Sequence, residues 1–197
     1  MAYEELKSSG ITENTPKNIM FGAGTIHRGF KYEGNAWNFA ESLIGATQGG
    51  SKLSIVPEVT NIEADGALVK VKKLAVKTGE TATMEVNFLE LTPEILAMVT
   101  LGAEGEATSM AGYSEIKSKA RIEEGDYVDN LAYVGKTLEG TPIIVVFNSA
   151  LCTSGLELEG KNKENGVIKA TFECYAELTG DLETLPYHIY YPTPVAG

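Results

Sequence analysis

The chain has 197 residues, 43% hydrophobic and 22% charged, with 21 glycines; that excludes a disordered chain and allows one turn-rich domain with a real core, with or without long arms. The net charge of −11 is uneven: residues 1–100 hold 12 acidic and 9 basic groups (−3), and residues 101–197 hold 15 and 7 (−8). This balance argues against a surface that grips nucleic acid, because grip comes from Lys and Arg neutralising phosphates, although an acidic wall can border nucleic acid and repel it.

The amino-terminal MAYEELKSSG has no apolar run of a secretory leader, and no stretch approaches about 18 apolar residues, so the expectation is a protein that stays in the cytoplasm where it is made. Residues 1–20, with Gly10 and Pro16 and no sustained period, read as an arm that needs a partner to become ordered. NIMFGAGTIHRGFKY, residues 18–32, gives two short strand-like pieces around Gly22 and Gly24. It lacks the GxGxxG order, a following helix and the acidic residue of a dinucleotide loop. Trp37, Phe39, Leu43 and Ile44 form a turn of helix or an irregular apolar segment ending at Gly45. Gly45 to Ser51 reads as a glycine-rich loop without a Walker lysine pattern, followed by a strand in which Leu53 and Ile55 share a face and Pro57 marks an edge or a bulge. Leu68 to Thr78 reads as a further strand, with Lys70 and Lys72 on one face, Val69 and Val71 on the other, and a bulge at Lys73-Leu74. Lys70, Lys72, Lys73 and Lys77 are either a solvated strand face or a basic strip that docks on an acidic neighbouring subunit.

The stretch Gly79 to Ala103, GETATMEVNFLELTPEILAMVTLGA, passes from strand to helix. Ala82, Met84, Val86 and Phe88 alternate with Thr81, Thr83, Glu85 and Asn87. Thr92 then suits an N-cap, Pro93 the first helical position and Glu94 the positive helix end, while Ile95, Met98 and Val99 fall at helical spacing before Gly102. A helix this short is unstable alone and must pack on the sheet. Ser114 to Ile122 alternates like an exposed strand at a periphery or interface. Leu131 and Tyr133 lead toward PIIVVFN, residues 142–148, a continuous apolar run typical of a strand covered on both faces. Leu156 and Leu158 mark a shorter strand, and the KNKENG turn, with Asn165-Gly166 suited to positive φ, closes a hairpin onto Val167 to Leu178, where Ile168, Ala170, Phe172, Cys174, Ala176 and Leu178 alternate. The aromatic, proline-rich end, with Tyr187, Tyr190 and Tyr191, reads as a second arm.

No catalytic motif is present. His27 and His188 fit neither HExxH nor a serine triad spacing, and both read as ordinary strand or arm residues. Glu123-Glu124, Asp126 and Asp129 could hold Ca²⁺, but the DxDxDG order is missing. Cys152 and Cys174 lie in β-like stretches without CxxC spacing and read as buried thiols, with a disulfide as the alternative. The expectation is therefore a non-enzyme with no cofactor and no bound metal. A β core with unfinished arms and sheet edges points toward assembly, because identical neighbours can satisfy both.

The order of elements, GATQGGSKLSIVPEVTNIEADG, a lysine-rich strand, TATMEVNFLELTPEILAMVT and then ENGVIKATFECYAEL, resembles the major tail protein, or tail tube protein, of long-tailed phages and prophages of Gram-positive bacteria, over roughly Gly45 to Leu178. The resemblance implies a β-sandwich with a flanking helix, hexameric rings whose inner strands form a continuous barrel, and stacking into a tube that conducts DNA without binding it specifically. It implies homo-oligomeric partners, other tail proteins such as the tape-measure and tail terminator, no membrane, and a place in the virion tail after assembly in the host cytoplasm. The expected fold class is thus mainly β: a sandwich or barrel-like core with one short flanking α-helix at about residues 93–101 and extended arms and loops. The expected division is an N-terminal arm (1–20), a tail-tube-like domain (21–185) and a C-terminal arm (186–197). Expected inter-subunit contacts are Lys70, Lys72, Lys73, Gly45, Gly49 and Gly50. The alternatives are a tube protein of a contractile phage-tail-like bacteriocin and a carbohydrate-binding β-sandwich in which Trp37, Tyr187, Tyr190 and Tyr191 are stacking platforms.

Overall fold

The structure, a computed structural model, describes residues 9–160 and 162–193. In chain order its elements are α1 (Thr15–Asn18), β1 (Thr25–His27), β2 (Tyr32–Glu33), β3 (Ala36–Trp37), β4 (Thr47–Asn61), β5 (Ala75–Phe88), α2 (Pro93–Thr100), β6 (Ala103–Glu106), β7 (Ser114–Lys117), a 3₁₀ turn at Glu124–Asp126, β8 (Val128–Lys136), β9 (Pro142–Cys152), β10 (Ile168–Cys174) and β11 (Tyr187–Tyr190). The fold is mainly β. One antiparallel sheet runs β1-β8-β9-β10-β5-β4, with β11 added to the free part of β9, while β2-β3 and β6-β7 are small separate hairpins.

Two alternating strands build the centre. Ala82, Met84, Val86 and Phe88 of β5 and Ile168, Ala170, Phe172 and Cys174 of β10 are all buried. Their register sets Ile168 opposite Phe88, Ala170 opposite Val86 and Phe172 opposite Met84. Antiparallel partners share a face, so both apolar rows enter one cluster with Leu131 and Tyr133 of β8, Val145 and Phe147 of β9 and the inner side of α2. The expected alternation stops at Cys174: Leu178 is 88% exposed. PIIVVFN is covered on both faces, as its apolar run predicts. Val145 and Phe147 face the main cluster, whereas Ile144 and Val146 join Phe30, Ala132, Val134 and the partly buried Trp37 in a second one.

The helix forms where the sequence places it. Thr92 Oγ1 accepts a hydrogen bond from the Ile95 N–H at 3.2 Å, Pro93 occupies the first turn, and Ile95, Met98 and Val99 are buried. The stop differs in detail: Leu101, not Gly102, carries the left-handed backbone at φ 51°, and the Gly102 N–H donates to the Ala97 carbonyl at 2.9 Å. Gly102 is needed for closeness. A Cβ there would lie 2.6 Å from Ile116 Cγ2 and 3.1 Å from the Lys117 carbonyl oxygen, so glycine lets β7 approach the helix end. Gly102→Ala is expected to cost about 1–3 kcal/mol, the usual range for a forced overpacking, read as a lower urea midpoint.

Several expectations are corrected. The strand expected over Leu68 to Thr78 holds only from Ala75, where β5 begins; the chain loops through residues 62–74. Lys73 sits at φ 75° in that loop, where a β bulge was expected. Gly45 to Ser51 is not a free loop either, because β4 starts at Thr47 and absorbs Gly49 and Gly50, at φ 85° and 83°, as an irregularity between Thr47 and Ser51. Leu156 and Leu158 are exposed and outside any strand. β10 pairs instead with β9 on one side and β5 on the other. Residues 32–37 form the hairpin β2-β3, turned by Gly34 and Asn35 at φ 58° and 69°, so Trp37 stands in a strand and not in a turn of helix. Residues 187–190 of the expected C-terminal arm form β11, whose alternation sends Tyr187 opposite Phe147 and Tyr190 opposite Ile144. Of the expected N-terminal arm, residues 1–8 lie outside the described residues, as do residues 194–197 of the C-terminal one and Lys161 of the KNKENG turn. Cys152 and Cys174 are buried and free, and burial pushes the Cys174 thiol up to about 12, leaving little nucleophilic thiolate at neutral pH.

Candidate functional site

The β4-β5 hairpin is the most unusual surface feature. β4 pairs only with β5 and so forms one edge of the main sheet. Past Ile55, which faces Ala82, the two strands leave the core and continue paired to Asn61 and Ala75. At the rise of a strand that is a projection of about 20 Å, before the loop 62–74 adds to it. From Val56 to Thr78 no residue is buried. Val56, Val59, Ile62, Leu68, Val69, Val71 and Val76 are exposed, with Leu68 99% exposed. Scattered surface leucines need no explanation, but so many aliphatic side chains on one projecting hairpin do, since each leaves its transfer energy unrealised.

Lys70, Lys72 and Lys73 sit in the loop at the end of this arm, and among the described residues none makes an ion pair. Gly45, Gly49 and Gly50 lie at the other end of β4. Gly45 rests against Glu90, whose carboxylate accepts from the Ala46 N–H at 3.2 Å, and the Gly50 carbonyl accepts from Asn87 Nδ2 at 3.1 Å. The structure does not bring the two groups of expected contact residues together: Gly50 to Asn61 of extended chain spans roughly 35 Å. The aliphatic row on the arm was missed by the sequence reading. Its signal in the sequence is the aliphatic set Ile62, Leu68, Val69 and Val71, which stands beside Asp65-Gly66 and among Lys70, Lys72 and Lys73.

The aromatic residues do not form one platform. Tyr187 packs against the main cluster and its hydroxyl lies 3.4 Å from Glu80 Oε1. Tyr190 meets Trp37 edge-on at 5.2 Å, and Trp37 stacks on Phe30 at 4.8 Å with planes 7° apart. The Tyr191 hydroxyl donates to Asn18 Oδ1 at 2.5 Å. Tyr187 and Tyr190 therefore face opposite sides of the sheet, and Trp37 has already given one ring face to Phe30.

The residues that could suggest chemistry are satisfied locally. A hollow of about 470 Å³ beside α2 is lined by Arg28, Glu94, Glu104 and Asp126, but Arg28 pairs with Glu94, and Asp126 with Lys119 at 2.5 Å. Burial works to raise Asp126; the hydrogen bonds from Lys119 and the Glu123 N–H outweigh it and hold the carboxyl below its ordinary value. Among the described residues no cluster of three or more His, Cys, Asp or Glu is placed to hold a metal ion.

His27 is buried between two hydroxyls, with Thr25 Oγ1 2.8 Å from Nε2 and Ser42 Oγ 2.9 Å from Nδ1. Ser42 gives its proton to the Asn38 carbonyl at 2.6 Å, so its oxygen accepts from Nδ1–H, and Nε2 accepts from Thr25. This fixes a neutral imidazole that ties the 38–44 segment to β1. It is no nucleophile–base pair: the serine proton points to a backbone carbonyl and no carboxylate backs the ring. Burial lowers the His27 pKa. The folded state therefore resists protonation that the unfolded chain accepts near 6.5, and the stability from neutral His27 is complete above that pH. It fades as pH falls below 6.5 and is gone below the folded value. The urea midpoint is expected to drop between pH 7 and 5, a window above that of the carboxylates, and His27→Gln should remove this drop while lowering stability at pH 7.

No protein-family model matches the chain, and no curated protein matches it.

Proposed function

We propose that the chain is a structural subunit that assembles with copies of itself into stacked hexameric rings, as the tail tube protein of a long-tailed phage of Gram-positive bacteria. The observation that carries this reading is the β4-β5 arm: an unpaired sheet edge continued by a projecting hairpin with an exposed aliphatic row and three unpaired lysines at its tip. Such a device is costly on a monomer and is satisfied by a neighbour that covers the row and extends the sheet. The acidic remainder of the chain supplies complementary charge for the lysines. In this role the protein has no catalytic residues. It meets tape-measure and terminator proteins at the tube ends and lets DNA pass along a surface of like charge.

Electron microscopy of the concentrated protein is expected to show rings or tubes, and a monomer at every concentration would overturn the reading. Lys70→Glu, Lys72→Glu and Lys73→Glu together should weaken assembly by several-fold in concentration, since exposed ion pairs contribute about 0.2–1 kcal/mol each, and the wild-type assembly should loosen with added salt. Unchanged assembly would return the lysines to a solvated loop. The same subunit in a contractile bacteriocin-like particle is separated from the phage reading by whether the particle carries a genome. The carbohydrate-binding alternative has less support, since Tyr187 and Tyr190 lie on opposite faces of the sheet and only Tyr190 stands beside Trp37.

A further inference from the structure

We propose that Asn165-Gly166 is a site of spontaneous covalent modification, at which the chain's own backbone expels the Asn165 amide as ammonia and water converts the residue to aspartate or isoaspartate. Ten asparagines occur in the sequence, and Asn165 alone precedes a glycine. That neighbour matters because the attacking atom is the backbone nitrogen of the next residue, and glycine brings no side chain to crowd it.

The surroundings favour the reaction. The pair lies between β9 and β10 in the irregular stretch 153–167, and Asn165 is exposed. The hairpin turn expected at Asn165-Gly166 is absent; among the described residues between β9 and β10, the left-handed backbone falls at Gly155 and Lys163, at φ 71° and 65°. Among the described residues neither the Asn165 side chain nor the Gly166 N–H makes a hydrogen bond. The amide nitrogen is thus free to turn toward its target. An open hollow of about 250 Å³ lined by Asn165, Glu157, Glu159 and Glu164 admits the water that completes the change.

The atoms balance without another reactant. The Gly166 nitrogen loses its proton and bonds to Asn165 Cγ, the Cγ–Nδ2 bond breaks, and Nδ2 leaves as ammonia, closing a five-membered succinimide. Water then opens the ring at either carbonyl. One opening gives aspartate on an ordinary backbone. The other gives isoaspartate, which routes the main chain through Cβ and lengthens it by one carbon, three residues before the fully buried Ile168 that ends the register of β10 on β5. Both products put a new carboxylate beside Glu157, Glu159 and Glu164.

Gly166→Ala is a clean test because the fold tolerates it. Gly166 has no positive φ, and an added Cβ would meet only the Glu159 carbonyl oxygen at 3.7 Å, an ordinary contact. The full chain is incubated in mildly alkaline buffer and followed by peptide mapping, charge-variant separation and labelling with an isoaspartyl methyltransferase. Acidic species are expected to accumulate with the change confined to residue 165, co-migrating in part with Asn165→Asp. They should form faster as pH rises. Gly166→Ala should slow them by roughly tenfold or more, the effect of a modest rise in barrier, and Asn165→Gln should abolish them. Modification spread over other asparagines, or an equal rate in Gly166→Ala, would overturn the proposal, as would an unmodified Asn165 after prolonged incubation.

Discussion

Phe172→Ala is expected to destabilise the fold by about 3–5 kcal/mol, a large part of the roughly 5–15 kcal/mol that holds a domain together. Phe172 is fully buried, lies opposite Met84 on β5 and Cys152 on β9, and meets Phe88 edge to face at 6.4 Å and 88°. Its position matters as much as its size. β10 is the strand that joins β9 to β5, and Phe172 is in register with both neighbours, so a void there loosens the seam between the two halves of the sheet. Neighbouring backbone cannot collapse into the space without breaking one of the two ladders, which places the cost toward the upper end. Urea unfolding followed by circular dichroism measures it. Leu178→Ala, four residues beyond the strand and almost fully exposed, should stay within about 0.5 kcal/mol. A Phe172→Ala midpoint close to wild type would mean that the seam does not depend on this side chain.

The parts of the fold legible in the sequence were those where one local pattern decides the outcome. Ala82 to Phe88 and Ile168 to Cys174 alternate cleanly because one face of each is buried and the other is not. Thr92-Pro93-Glu94 supplies the helix start from its own atoms, so α2 needed no knowledge of its neighbours. The failures share the opposite property. Residues 69–72 alternate as well as any strand, but a strand also needs a partner in register, and the loop across Asp65-Gly66 and Lys73 gives it none. Leu156 and Leu158 fail in the same way, since β10 takes the free part of β9. In the opposite direction, Tyr187 to Tyr190 reads as an arm because Pro186 and Pro192 flank it, yet the N-terminal half of β9, paired with β8 along one side, accepts it along the other. Lysine and glycine chemistry mark the expected contact residues. The aliphatic row beside those lysines depends on both strands of the arm leaving the core together, which no local pattern encodes.

Replacing residues 59–78 with an Asn-Gly turn is expected to abolish the proposed ring and tube formation while leaving the fold intact. Glu58 and Gly79 are directly opposite one another, so a two-residue turn can close the shortened hairpin without a register change. The removed segment contains no buried residue, and the apolar rows of β5 that reach the core begin at Ala82. Thermal stability should therefore change little; the one internal partner lost is Lys77, 2.9 Å from Glu80, and Glu80 keeps the Tyr187 hydroxyl within reach. Assembly is another matter. Each Val, Ile or Leu fully covered by a neighbour contributes about 1.5–3 kcal/mol, several times the worth of an exposed lysine pair. The arm's aliphatic side chains outweigh its charges, so the deletion should be far more severe than the triple lysine reversal. An intermediate variant, Leu68→Asp with Val69→Asp, keeps the backbone and the lysines and isolates the apolar contribution. If sedimentation shows the deletion variant assembling as wild type does, the subunits associate through some other surface and the arm has no part in it. If it stays monomeric while Leu68→Asp with Val69→Asp still assembles, the contact is made by backbone pairing along β4 rather than by side chains at the tip.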